Sequence, residues 1–256
     1  MLKRLCVFLL VAGLTLPAFA TDYSDMWYLP AEGGWGVNFT QNENVIFMTF
    51  FLYGPDGKPI WYVAIAYQDA NGNYSGSLYS TVGTYFGAPW NPASFASTLA
   101  GTASFTPINA YQGTLSYTLS GGPTVNKTIV RETLVTISLA GNYTGGQSGT
   151  YSGSGCALGG YKDNFDLQVS QTPSTLALTF NYFSLGASCT LSGALLQDGQ
   201  LMSVPSASYV CGDGLSTTAS VSEIKKTSLG IEGKFSSVNV GGGCREDASF
   251  SAVNLQ

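Results

Sequence analysis

No window of about 15 residues in this chain carries a capped 3.6-residue apolar period, which removes helices as its building material. What recurs is a short apolar or alternating run closed by a turn signal. Val45 to Tyr53, the turn Gly54-Pro55-Asp56-Gly57 and Pro59 to Tyr67 make the clearest hairpin. Charged residues are only 10% of the chain, while Gly, Ser, Thr, Tyr and Phe abound, the residue set of many short strands joined by tight turns. The fold class expected is all-β.

The runs fall into two sets of about eight in sequential order. One spans Trp35 to Leu134, the other Gly141 to Val253, with the boundary near residues 137–141. Antiparallel strands in this order suggest two tandem up-and-down β-barrels. The expected layout is a leader at 1–20, an aromatic-rich N-terminal barrel at 21–138 and a C-terminal barrel with all the remaining cysteines at 139–256. The strand Pro59 to Tyr67 alternates imperfectly and reads as covered on both faces.

The leader carries Lys3 and Arg4, an apolar run from Leu5 to Leu16, and Pro17-Ala18-Phe19-Ala20, whose small residues suit signal peptidase. A run of about 12 is too short to span a bilayer, which needs roughly 20 residues. A cleaved signal peptide and a periplasmic or secreted product are expected, with no transmembrane anchor. Cleavage leaves 10 − 2 = 8 basic residues against 15 acidic ones, a net charge of 8 − 15 = −7. Nucleic acid is a poor partner for such a chain, because phosphate backbones require clustered Lys and Arg.

Four cysteines remain after cleavage, and an even count in an exported chain favours disulfides. Asp198-Gly199 reads as a hairpin turn between runs carrying Cys189 and Cys211, which sit in near-mirror positions. Cys189 would join Cys211, leaving Cys156 for Cys244. Four cysteines nevertheless allow three connectivities.

Gly34-Trp35-Gly36 and Gly141-Asn142-Tyr143 open the two halves, and Arg131-Glu132-Thr133 and Arg245-Glu246-Asp247 close them. Barrel closure would bring first and last strands together, stacking Trp35 on Arg131 and Tyr143 on Arg245 by cation–π contact. This resembles the lipocalin-like (calycin) arrangement, in which an early G-x-W tryptophan packs on an arginine of the last strand. The run Trp27-Tyr28-x-Pro30-x-Glu32-x-Gly34-Trp35-Gly36, continued by Asp56-Gly57-x-Pro59-x-Trp61-Tyr62, resembles a group of exported proteobacterial β-rich proteins with a GWG and DGxPxWY signature. That resemblance implies architecture and export, not chemistry.

The chain has no histidine, so Ser-His-Asp and Cys-His nucleophilic sites and histidine general bases are absent. No catalytic residue, metal site or cofactor is assigned. Asp163, Asn164 and Asp166 lack the spacing of a calcium loop, and no glycine run has the Gly-Lys-Ser/Thr of a phosphate loop. Trp27, Glu32, Trp35, Trp61 and Tyr62 remain as a ligand-binding set, since aromatic-lined sites take sugars or apolar molecules. The leading expectation is an exported non-catalytic protein that binds a small apolar or glycan ligand or mediates cell-surface contact. The alternatives are a carboxylate-dependent, glycosidase-like hydrolase using Glu32, and an outer-membrane β-barrel.

Overall fold

A computed structural model describes residues 21–154, 159–238 and 243–255; the leader lies outside them. The described chain is all-β apart from one 3-10 turn at Pro92–Ser94. Eight antiparallel strands close the first barrel: β1 Asp25–Tyr28, β2 Gly36–Asn42, β3 Val45–Tyr53, β4 Pro59–Gln68, β5 Tyr74–Val82, β6 Ala96–Pro107, β7 Gln112–Leu119 and β8 Thr124–Arg131. Closure comes from β1 pairing β8, with Trp27 opposite Arg131.

Period-two alternation fills this barrel. Ile46, Met48 and Phe50 of β3 point inward and are fully buried, while Phe47, Phe51 and Tyr53 point out. Across the interior, Phe105 stands 4.8 Å from Phe39 and 5.3 Å from Trp27, both tilted or edge-on. Such pairs add about 0.5–1.5 kcal/mol each beyond area burial. The interior is therefore packed with side chains rather than open.

The arginine of the last strand does lie over a tryptophan, but the partner differs from expectation. The Arg131 guanidinium sits 4.8 Å from the ring of Trp27, whereas Trp35 has Lys127 above it at 6.0 Å. The reason is the four-residue β1, a strand absent from the sequence reading, which began the barrel at Trp35. Arg131 is held on every side: Nε donates to Ala110 O at 2.7 Å, Nη2 to Asp22 O at 2.5 Å, and Nη1 to Asp25 Oδ2 at 3.1 Å. Burial pulls its pKa down, and Asp25 works against that.

The second barrel is made of β9 Gly141–Ser152, β10 Gly159–Gln171, β11 Thr175–Tyr182, β12 Ala187–Ala194, β13 Leu196–Asp198, β14 Leu201–Cys211, β15 Ser216–Lys226, β16 Gly230–Val238 and β17 Arg245–Asn254. β9 pairs β17 and β12 pairs β14, closing an eight-stranded ring with the short β13 folded back on β14. Cys189 and Cys211 face each other across β12 and β14 and are disulfide-bonded, as expected. Cys244 is also disulfide-bonded; Cys156, its expected partner, lies outside the described residues.

The Tyr143–Arg245 stack is not formed. In the antiparallel β9–β17 pair Tyr143 is opposite Asn254 and Arg245 is opposite Ser152, so nine residues, about 30 Å of strand, separate them. Tyr143 is buried and donates to Leu139 O at 2.7 Å, while Arg245 is exposed and chelated by Asp247. Antiparallel closure puts the start of the first strand beside the end of the last. Arg245 opens β17, whereas Arg131 ends β8, and the echo in sequence hid that difference.

Among the described residues no strand crosses between the barrels, yet the two are joined by polar contacts. The β13–β14 turn reaches the Arg131 end of the first barrel, where Gln200 N donates to Asp25 Oδ2 at 2.9 Å and Gly199 N to Thr133 Oγ1 at 3.0 Å. Gly199 has φ +60°, and a Cβ there would lie 2.9 Å from Arg131 Cβ, so glycine is required both for the turn and for the close approach. Asp22 bonds Lys225, and Glu223 N donates to Tyr111 Oη at 2.8 Å.

Candidate functional site

The five residues expected to bind ligand separate into three places. Trp27 is fully buried under Arg131 and donates from Nε1 to Tyr23 O at 2.9 Å, so it packs in the core of the barrel. Glu32, Trp35 and Tyr62 belong to the end of the first barrel away from Arg131. Trp61 points outward from β4 and is 51% exposed.

At that far end Trp35, Leu52, Tyr62 and Tyr117 pack on the core while staying partly exposed. Lys127 lies four residues, about 13 Å, back along β8 from Arg131 and donates to both Glu32 oxygens at 2.6 and 2.7 Å. Trp35 Nε1 adds a third bond to Glu32 at 3.0 Å. The Lys127 ammonium, with help from the indole, holds the Glu32 carboxyl below its ordinary value. A general acid needs a raised pKa and a second carboxylate across the substrate. Glu32 has the opposite shift, and its bonding partners are a cation and an indole.

The larger surface is outside the barrel. Cross-strand register places Phe51 beside Trp61, Phe47 beside Ile65, Val45 beside Tyr67 and Val63 beside Tyr79 on the outer face of β3, β4 and β5. β4 was expected to be covered on both faces; its outer side chains are instead about half exposed. With about 200 Å² per large side chain, the seven residues Phe47, Phe51, Tyr53, Trp61, Ile65, Tyr67 and Tyr79 present about 700 Å² of apolar surface. A typical monomer's largest patch is about 300–600 Å². Strands β2 to β7 contain no Asp, Glu, Lys or Arg, so the wall is uncharged, with Glu43, Asp56, Lys58 and Asp69 confined to the turns around it. In the β5–β6 connection Tyr85, Phe86 and Trp90 are also exposed.

Sequence reasoning missed Phe47, Phe51, Ile65, Tyr67 and Tyr79 because apolar residues on both faces of a strand suggest double burial. The signal that distinguishes them is the missing charge.

It also missed a polar chain inside the second barrel. Tyr161 Oη and Ser237 Oγ both donate to Glu246, Gln147 Nε2 donates to Tyr161 Oη at 2.9 Å, and Tyr182 Oη donates to Gln147 Oε1 at 3.2 Å. Burial raises the Glu246 carboxyl and pushes Tyr209, at the far end of this chain, up to about 12. With every member bonded, the chain is a satisfied interior network. Among the described residues no group of three His, Cys, Asp or Glu is placed to hold a metal. Comparison of the chain with family models, curated proteins and solved structures returns no match.

Proposed function

We propose that the protein is an exported, non-catalytic recognition module whose first barrel binds neutral glycan chains on the outer face of β3, β4 and β5. The observation that carries this reading is the uncharged aromatic wall centred on Phe51 and Trp61. The rings of Phe51 and Tyr53, two residues and about 7 Å apart along β3, with Trp61 opposite Phe51 on β4, present stacking platforms for sugar rings. Thr49 and Ser77 supply hydroxyls between them. An anionic membrane would instead call for a basic rim, and Lys58 is the sole cation in the turns bordering the wall. An outer-membrane barrel has an apolar band all round and a polar lumen; here the interior is apolar, and the outer positions of β6 and β7 include Thr102, Ser104, Thr114 and Ser116. The disulfide of Cys189 with Cys211 is compatible with an oxidising compartment.

The test is a pull-down and isothermal titration with neutral polysaccharides, namely cellulose, chitin and their soluble oligomers. Trp61→Ala combined with Phe51→Ala should reduce binding by about 30-fold or more, the effect of losing about 2 kcal/mol at a hot spot, with an unchanged melting temperature. Equal binding by parent and variant would overturn the reading. So would a parent that ignores every neutral glycan and elutes as a dimer that the same substitutions dissociate.

A further inference from the structure

The second barrel carries a groove of about 1070 Å³ on its outer wall, crossing β10, β9, β17, β16 and β15 and reaching Pro205 and Ser206 of β14. Its floor reads directly from strand register. One row runs Lys162, Ser148, Ser249, Lys234, each residue directly opposite the next on the neighbouring strand. The adjacent row runs Thr150, Asp247, Ser236, Ser220. Small hydroxyl side chains keep the floor low. Two irregularities shape its β14–β15 side: register shifts around Val204 in β14, and Glu223 of β15 at φ +51°.

Charge separates this groove from the aromatic wall. Its lining includes Lys162, Lys234, Arg245 and Asp247, a sum of 3 − 1 = +2 in a chain of net charge −5. Arg245 already chelates Asp247, and Lys234 bonds Glu223 at 2.7 Å. Lys162 forms no ion pair among the described residues. Three strand spacings, about 14 Å, separate the backbones of Lys162 and Lys234, with two serines between. No aromatic ring projects from these two rows, so the groove offers hydrogen bonds and positive charge rather than stacking.

We infer that this groove is a second binding site, for a carboxylated oligosaccharide laid across the strands. Sugar hydroxyls exchange hydrogen bonds with the Ser and Thr floor, and a uronate carboxylate meets the free ammonium of Lys162. The volume, at the top of the about 300–1,000 Å³ range of small-ligand pockets, favours several sugar units over one. The inference does not rest on the neutral-glycan reading of the first barrel: the two sites lie on different barrels and select opposite ligand chemistry.

The experiment titrates the full mature chain with oligogalacturonate and, as the neutral control, cello-oligosaccharide of equal length. Oligogalacturonate should bind, and binding should weaken when salt rises from about 0.05 to about 0.5 M. Lys162→Glu should lower its affinity at least about tenfold, while binding of cellulose to the first barrel stays unchanged. Ser249→Tyr, which raises a ring from the middle of the floor, should abolish it. Both variants point outward, and unaltered melting temperatures would establish that they fold. Failure of the parent to bind oligogalacturonate, equal binding of the neutral oligomer in a Ser249-dependent way, or parent-like affinity in both variants would each overturn the inference. Loss of cellulose binding in Trp61→Ala with oligogalacturonate binding retained would leave both sites standing as separate.

Discussion

Replacing Arg131 with methionine removes the most enclosed charge in the first barrel. The side chains of Arg131 and Asp25 are 1% and 4% exposed, so Asp25 would be left as a buried carboxylate with two backbone amides for company, Met26 N and Gln200 N. Breaking a buried pair from one side costs about 3–5 kcal/mol, and the lost contact with Trp27 adds about 0.5–2 kcal/mol. At roughly 4 °C per kcal/mol for a barrel of this size, the 3–5 kcal/mol alone lowers the melting temperature by about 12–20 °C. Scanning calorimetry, with tryptophan fluorescence to report the first barrel, measures it. Asp25→Asn in the Arg131→Met background should recover part of the loss, because it removes the stranded charge. A single variant melting within about 3 °C of the parent, or a double variant showing the plain sum of two losses, would refute the assignment of Arg131 and Asp25 as one buried unit.

Gly199→Val introduces a β-branched side chain at φ +60° against Arg131 and should undock the barrels. Circular dichroism should be preserved while residues 132–140 become protease-sensitive; unchanged digestion rates would count against the docking role. Removing the Cys189–Cys211 bond by double serine substitution should cost about 3 kcal/mol for its sequence separation of 22, read as a lower urea midpoint. Glu246 has a folded pKa raised from 4.5 by burial, so its stabilising contribution is present below about 4.5 and is lost as pH rises through the folded value. Glu246→Gln should therefore flatten the pH dependence of melting above pH 4.5 and melt higher than the parent at neutral pH; parallel curves would contradict this.

Much of the fold was legible because turn chemistry is local. The boundaries of β3, β11 and β16 agree with the runs read from alternation and from turns such as Gly54-Pro55-Asp56-Gly57. The Cys189–Cys211 bond followed from mirror placement about Asp198-Gly199. Strand β1 was not legible: four residues, with Pro30 close behind, carry too little period to announce a strand. Its omission moved the tryptophan of Arg131 from position 27 to 35. The β4 face was misread for a related reason, since alternation states which residues share a side but not whether anything covers it. Of the five residues read as one ligand-binding set, Glu32, Trp35 and Tyr62 lie at one end of the first barrel. Trp27 and Trp61, their neighbours in sequence, were carried inward and outward by the pleat.

Ring closure has a further consequence for a molecule that displays so much aromatic surface. Open sheets with an apolar face invite growth strand by strand, because unpaired amides at the margin template the next chain. Here β1 meets β8, and β9 meets β17, so each barrel's own backbone satisfies the positions where such growth would start. Association through the wall of β3 to β5 is thereby restricted to side chains, and stays separable from the hydrogen-bonded polymerisation that leads to fibrils.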